Sequence, residues 1–412
     1  FAQQVLLFFD PSLSNATFSS LEAIFDYMTD KLSSEKVILV IDELPYWAEK
    51  NEALLSILQK YIDTKWQDKN LMIILCGSAL SFMENKVLSE KSPLFGRRNS
   101  QIKLEPFDYK TAALFVPDYS FEDKAICYGV TGGVAKYLAM MDPEKSIHEN
   151  IRKLFFQRDG YLYDETRNLL IQEFSEITLV NNIIEQIASG IYTVNQIAQK
   201  TRENLSTVLY SLDKLINIGL VEKRNCITEE KNKKKTQYIL KDHMFQFWYA
   251  FIPKAISVIE MGQGDLYYER IVQNQLHAYM GSVFEDMCRY YTLNQGIQGA
   301  FGNFLTNIGT WWGTEILDSP AGKYQQSADI DVVGISYIDK TAVLGECKFK
   351  KEKIGKTVYD TLIRRSSVIY GRYRIVRYLF FSLSGYTDWF QTLPDDNIML
   401  FTLDDLYRET QA

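Results

Sequence analysis

A chain of 412 residues is long enough for two to four separately packed domains, and a net charge of −7 excludes a protein that coats nucleic acid with its whole surface. No apolar run reaches the roughly 18 residues of a membrane span and no basic-then-apolar signal opens the chain, so a cytoplasmic protein without a membrane partner is expected. Five cysteines (Cys76, Cys127, Cys226, Cys288, Cys347) and three histidines (His148, His243, His277) stand singly, which predicts buried thiols and structural imidazoles rather than disulfides or a zinc site.

The segment Lys36–Trp47 reads KVILVIDELPYW, an apolar strand that ends in Asp42-Glu43. A buried parallel strand is apolar on both faces, and its carboxyl end is where α/β sheets present ligands. In that position Asp42 suits the Mg2+ of a nucleotide, and Glu43 suits activation of the attacking water. A second apolar strand, Leu71–Cys76, leads into Gly77-Ser78, where a hydroxyl can sense a γ-phosphate. Arg97 and Arg98 in SPLFGRRN are finger candidates, and such fingers imply nucleotide sites shared within a homo-oligomer. An apolar strand ending in two acids also arises by chance. No G-x-x-x-x-G-K-[ST] occurs, and the sequence opens at Phe1. The first strand and phosphate loop are therefore expected to be missing from the front, so that this chain does not hold ATP in the ordinary way.

From Tyr109 to about Arg167 the pattern is helical, punctuated at Thr131-Gly132-Gly133, and predicts a small helical lid. From Val180 onward, helix, short helix, turn, longer amphipathic helix and two strands follow in the order of a winged helix-turn-helix. Leu205–Ile218 is its recognition-type helix, with Val208, Leu209, Leu212, Leu215 and Ile216 at core spacing and Asn204, Ser206, Thr207 and Ser211 expected on the open face. The basic run Lys231–Lys235 is the wing. Such modules bind DNA or serve internal packing. The aromatic stretch Asp242–Ile252 reads as an interdomain core rather than a base-stacking platform.

Near the C-terminus, ADIDVVGISYIDKTAVLGECKFK (Ala328–Lys350) contains two Val/Ile-rich runs. A two-residue turn at Asp339-Lys340 sets Ile338 opposite Thr341 and Asp331 opposite Lys348, with Asp331, Glu346 and Lys348 on one face and Cys347 and Phe349 on the other. Two carboxylates suit a hard divalent ion such as Mg2+, and a lysine can orient the attacking water: the apparatus of a phosphodiesterase. Glu285, on the predicted helix Tyr279–Tyr291, supplies a further carboxylate. Taken alone, Glu346 and Lys348 are also what a solvated strand face carries. A second basic set, from Lys348 to Arg377, surrounds the hairpin. Trp311 and Trp312 either line a substrate cleft or pack the sheet.

The blocks IDELPYW, LCGSALSFMENKVLSEKSPLFGRR, IKLEPFDY, TGGVAKYL, FEDMC, IGTWWG, DIDVV and GECKFKKEKIG stand in the order seen in archaeal and bacterial AAA-type P-loop ATPases with a C-terminal PD-(D/E)XK nuclease-like domain, which the chain resembles from about Ala16 onward. The resemblance implies an α/β multidomain protein: a P-loop (RecA/AAA-like) parallel sheet core lacking its first strand and phosphate loop (1–108), a helical lid (109–175), a winged helix (176–252) and a restriction-endonuclease-like α/β domain (253–412). It implies Asp42 and Glu43 as Walker B acids, Ser78 as sensor, and Arg97 and Arg98 as the finger pair. Glu285, Asp331, Glu346 and Lys348 match the nuclease motif, with Mg2+ held by Asp42, Asp331 and Glu346. ATP and Mg2+ are the implied cofactors and DNA the implied partner. Two expected functions follow: phosphodiester hydrolysis coupled to ATP, or a regulatory ATPase whose nuclease-like domain binds nucleic acid or partners without cleaving.

Overall fold

The computed structural model describes residues 1–13, 15–174, 176–230, 232, 235–319, 322–393 and 396–408. Contacts divide the chain into two compact units, Phe1–Leu104 and Glu105–Ala412.

In the first unit, β1 (Val37–Ile41) and β2 (Leu71–Leu75) pair in parallel, Val37 with Leu71 through Ile41 with Leu75. One face packs on the helices Leu21–Lys31 and Leu54–Thr64, which bury Phe25, Leu58 and Tyr61. The other face differs from expectation: Ile38, Val40, Met72 and Ile74 alternate along the strands and are exposed. The doubly apolar pattern is that of a sheet covered on both faces, whereas among the described residues helices cover one.

The second unit begins with five α-helices and one short 3-10 helix between Tyr109 and Glu173. It continues with Ile177–Ala188, Val194–Thr201 and Leu205–Asn217, followed by the antiparallel hairpin β3 (Val221–Arg224) and β4 (Gln237–Leu240). In the Leu205–Asn217 helix, Val208, Leu212 and Leu215 are buried as expected, but Ser211 is buried with them. Position 211 lies three residues from 208 and four from 215, on the apolar stripe, and the exposed side chain nearby is Tyr210, with Lys214 Nζ 4.5 Å from its ring centroid. Of the basic run at the hairpin tip, Lys231, Lys233 and Lys234 lie outside the described residues. Lys235 pairs with Glu229 at 2.6 Å. The aromatic stretch is core: Phe245, Phe247 and Phe251 are buried, and Trp248 Nε1 donates to the Tyr163 carbonyl at 2.8 Å.

A five-stranded sheet completes this unit, in the order β5 (Asn307–Ser319), β6 (Gly322–Ser336), β7 (Thr341–Lys348), β8 (Arg374–Ser382), β9 (Ile398–Thr402). The first three strands are antiparallel; β7, β8 and β9 are parallel, and the helix Lys356–Tyr370 makes the crossover from β7 to β8. The 25-residue helix Gln273–Ile297 packs on one face through Phe284, Met287 and Cys288, against Val343, Cys347 and Phe349. The Lys356–Tyr370 helix packs on the other, where Leu362 and Ile369 meet Ala342, Leu344 and Phe380. One continuous core runs from Tyr109 to Leu406, so the helical, hairpin and sheet segments of this unit fold against one another. Tyr109 OH, for example, donates to the Leu406 carbonyl at 2.8 Å. Among the described residues, no helix is long and apolar enough to cross a membrane.

Candidate active sites

At the carboxyl end of β1, Cys76 N–H donates to the Ile41 carbonyl and Leu44 N–H to the Cys76 carbonyl, each at 2.9 Å, so the two strand exits leave side by side. Glu43 takes a left-handed backbone (φ 49°), unusual for a residue with a side chain. Its N–H donates to Asp42 Oδ1 at 3.0 Å, and its Oε2 accepts from Ser78 Oγ at 3.1 Å. Three of the residues singled out in the sequence thus meet at one strand end, on opposite sides of a parallel pair. Gly77 between them is required by space: a Cβ there would stand 2.6 Å from Pro45 Cδ.

The arginine pair divides. Arg97 is bound in a fork to Asp63, Nε to Oδ1 at 2.6 Å and Nη2 to Oδ2 at 2.7 Å, while Nη1 donates to the carbonyls of Pro93 and Phe95. Arg98 donates to Gln101 Oε1. Arg97 is therefore committed within its own unit. Replacing Arg97 or Asp63 by alanine is expected to lower the thermal midpoint of this unit by similar amounts; a midpoint unchanged in both would show the fork to be inert.

In the second unit the β6–β7 connection is a four-residue loop, Tyr337–Lys340, rather than a two-residue turn. Ser336 pairs with Thr341 and Val332 with Gly345, a register two residues from the expected one, which brings Glu346 instead of Lys348 alongside Asp331. The local cause is Ser336, whose hydroxyl accepts from Asp339 N–H at 3.2 Å, together with the left-handed Lys340 (φ 53°). A shift of two preserves which side chains share a face.

On its other side, β6 carries an extra residue. Gly309 pairs with Val333 and Trp311 with Ile330, so Asp331-Val332 opposes the single Thr310. Ala328 and Ile330 face one core, Val332 the opposite one, and Val333 and Ile335 the first again. Asp331 sits at this phase change, out of both ladders, and its Oδ2 accepts from Cys347 N–H at 2.9 Å.

Around Asp331 the other candidates converge. Lys348 Nζ donates to Glu346 Oε1 at 2.6 Å, whereas Glu346 Oε2 is buried without a hydrogen-bond partner. Burial, then the charge of Asp331, pushes Glu346 up to about 7 and Glu285 up to about 8. Burial also raises the Asp331 carboxyl. Lys348 is held above its ordinary range: burial opposes its charge, but Glu346 and Asp331 outweigh it. Four residues chosen from sequence therefore share one electrostatic cluster. Among the described residues, no group of three or more His, Cys, Asp or Glu side chains is close enough to hold a metal ion unaided. An acid set with an orphaned buried oxygen nevertheless fits a hard cation that completes its shell with water and carbonyls. Asp331 and Glu346 would hold it.

Two charged residues, Arg289 and Glu315, escaped the sequence reading. Arg289 is buried beside Glu285 and Asp286, and its spacing of four and three residues from them on one helix was the available signal. Arg365 lies 3.1 Å from Asp329 and 3.5 Å from Glu315, itself a buried carboxylate on β5 that Arg364 also grips. Trp311 is buried and Trp312 half-buried against the sheet core. Each histidine joins separate segments: His148 Nδ1 meets Tyr268 OH at 2.7 Å, His277 Nε2 meets Glu122 at 2.8 Å, and His243 Nε2 lies 3.8 Å from Asp286. All five cysteines are free, with burial raising the Cys347 thiol.

Residues 2–141 match an ATPase domain predominantly from Archaea, and residues 248–358 match a family of archaeal and bacterial proteins of unknown function. An uncharacterized protein of Methanocaldococcus jannaschii is 29% identical over 350 residues, which are 84% of this chain and 74% of the relative. A second uncharacterized protein of that organism is 38% identical over 56 residues, 14% of this chain and 54% of its own length. No solved structure matches. The first domain match supports ATPase activity, and with it the use of a nucleotide and Mg2+. Each of the two matches covers less than half of the chain and shows what those residues are similar to.

Proposed function

We propose that this is a DNA-directed ATPase whose second unit is a metal-dependent phosphodiesterase of the PD-(D/E)XK kind, with the Ile177–Leu240 segment acting as a winged-helix adaptor. The observation that carries this reading is the convergence of Glu285, Asp331, Glu346 and Lys348, from one helix and two strands, on a bulged strand. Bulges re-aim side chains next to active sites, and upward-shifted carboxyls clustered with a lysine are a mark of function. A divalent ion bound by Asp331 and Glu346 would polarise the phosphate and acidify a water. Lys348 keeps its proton at Nζ and presents it where charge grows on the phosphate. Glu285, protonated near neutral pH, can donate its proton to the leaving oxygen. At the other end of the chain, Asp42, Glu43 and Ser78 are the residues that support nucleotide hydrolysis. Arg98, lacking the carboxylate fork of Arg97, is the better finger candidate, and it would act across a homo-oligomer.

The test is incubation with linear, circular and single-stranded DNA in Mg2+ or Mn2+, with and without ATP. Cleavage that EDTA abolishes is expected. The paired lanes show whether ATP changes that rate. The same lanes address a second reading, a regulatory module that binds without cleaving, which the lack of three gathered metal-ligating side chains among the described residues favours. DNA that is retarded but intact in every lane would establish that reading instead.

A further inference from the structure

The bulge at Asp331 leaves its carbonyl outside both strand ladders, and a buried carbonyl needs a donor. Arg289 supplies it. Its Nη1 donates to the Asp331 carbonyl at 2.8 Å and to Thr310 Oγ1 at 3.2 Å, and lies 3.6 Å from Glu285 Oε2, while Nη2 donates to Asp286 Oδ1. One guanidinium thus grips the backbone of one candidate ligand, the side chain of a second carboxylate, and Thr310, the residue opposite the bulge.

Arg289 is itself held from the β3–β4 hairpin. Asp286 receives Arg224 Nη2 of β3 at 3.3 Å, and Arg224 is further fixed by Glu222 at 2.6 Å. Beyond β3, Ile227 N–H donates to the Thr310 carbonyl at 3.2 Å, covering the open edge of β5. Thr310 is therefore clamped by the hairpin on its carbonyl and by Arg289 on its hydroxyl. The cleft at this junction, of about 450 Å³, is lined by Lys223, Arg224 and Arg289 against Glu222, Asp286 and Glu230. Its charges balance, so it reads as an ion-pair network joining two elements and not as an anion pocket.

Resting on the phosphodiesterase reading, we propose that Arg289 is the positioning residue of the carboxylate site, fixing the Asp331 bulge and the Glu285 side chain, and that Arg224 and Asp286 anchor it to the hairpin. A planar fork that meets a carbonyl, a hydroxyl and two carboxylates is only partly replaced by a point charge. The arrangement also sets an order of effect: Arg289 touches the site, whereas Arg224 touches only what holds Arg289.

The experiment compares the full chain with Arg289→Met, Arg289→Lys and Arg224→Met by Mn2+ titration calorimetry, with thermal unfolding in EDTA and DNA cleavage alongside. Outer-shell partners of metal ligands typically contribute about 10–100-fold in affinity. Arg289→Met is expected to weaken Mn2+ binding by that factor, Arg289→Lys to recover part of it, and Arg224→Met to cost a few-fold while unfolding like wild type. Wild-type Mn2+ affinity in both Arg289 variants would overturn the proposal. So would equal losses in Arg289→Met and Arg289→Lys that merely follow a lowered unfolding midpoint, because that is what a structural role predicts. Mn2+ binding without cleavage by the wild type would sink the phosphodiesterase reading and leave the positioning role standing; no Mn2+ binding by the wild type would overturn both.

Discussion

Replacing Glu346 by glutamine is expected to lower metal-dependent cleavage at least about 100-fold, since outer-shell changes alone reach that size, and at the same time to stabilise the ion-free protein at alkaline pH. The second effect follows from burial. Glu346 is 6% exposed, Lys348 satisfies one of its oxygens, and the other has no partner. With the folded carboxyl pushed up to about 7, against about 4.3 in an unfolded chain, protonation favours the folded state. That contribution is complete below about pH 4 and disappears as pH rises through 7. Glu285, raised to about 8, and Asp331, also raised, act with the same sign. The wild type should therefore lose stability between pH 5 and pH 8, and Glu346→Gln should lose less, by on the order of 2 kcal/mol. Excess Mn2+ should reverse the trend in the wild type, by about 2.7 kcal/mol at a hundredfold excess over its dissociation constant, and do so weakly in the variant. Urea titrations at pH 5, 6.5 and 8 with and without Mn2+ decide the matter. A variant no more stable than wild type at pH 8 would mean that Glu346 is not an uncompensated charge. This is the opposition of stability and activity expected where like charges are gathered for a cation.

Gly133→Ala is expected to cost about 3–5 kcal/mol, the range in which single changes become diagnostic of strain and clash together. Gly133 has φ +75°, and a Cβ there would stand 2.0 Å from the Phe107 carbonyl oxygen, which is backbone and cannot rotate away. The same pair is joined by Phe107 N–H donating to the Gly133 carbonyl at 2.8 Å. Its neighbour provides the control. Gly132, at φ +63°, ends the Phe121–Thr131 helix in a left-handed cap, and its added Cβ would meet nothing nearer than Asp242 Oδ1 at 3.3 Å. Gly132→Ala should cost about 1 kcal/mol, the conformational term alone. Equal denaturant midpoints for the two variants would show that the close approach at Phe107 relaxes freely.

The candidate residues were legible in the sequence because each lies where a local pattern changes. Asp42 and Glu43 follow an apolar strand, Ser78 follows another, and Asp331 and Glu346 interrupt Val/Ile-rich runs. Helices with a clear stripe, such as Leu205–Asn217, were equally plain, because 3.6-residue periodicity is a property of neighbours in sequence. Side-chain parity on the β6–β7 hairpin survived an error in its register, since a slip of two residues keeps every face.

What only the tertiary structure decided has one physical cause: it depends on partners remote in sequence. The loop between β6 and β7 is set by a Ser336–Asp339 bond and a left-handed lysine, and the bulge at Asp331 by a mismatch with β5, neither of which composition encodes. The role of Arg97 depends on Asp63, 34 residues away, and that of Arg289 on Asp331, 42 residues away. Ser211, polar by type, is buried because the stripe of its helix outranks one hydroxyl. The hairpin expected to carry a wing also covers the edge of β5 through Ile227, a contact that local sequence does not encode. The sequence by itself marked the candidate residues; the packing of distant segments determined which of them meet, how their charges shift, and which arginines are already spoken for.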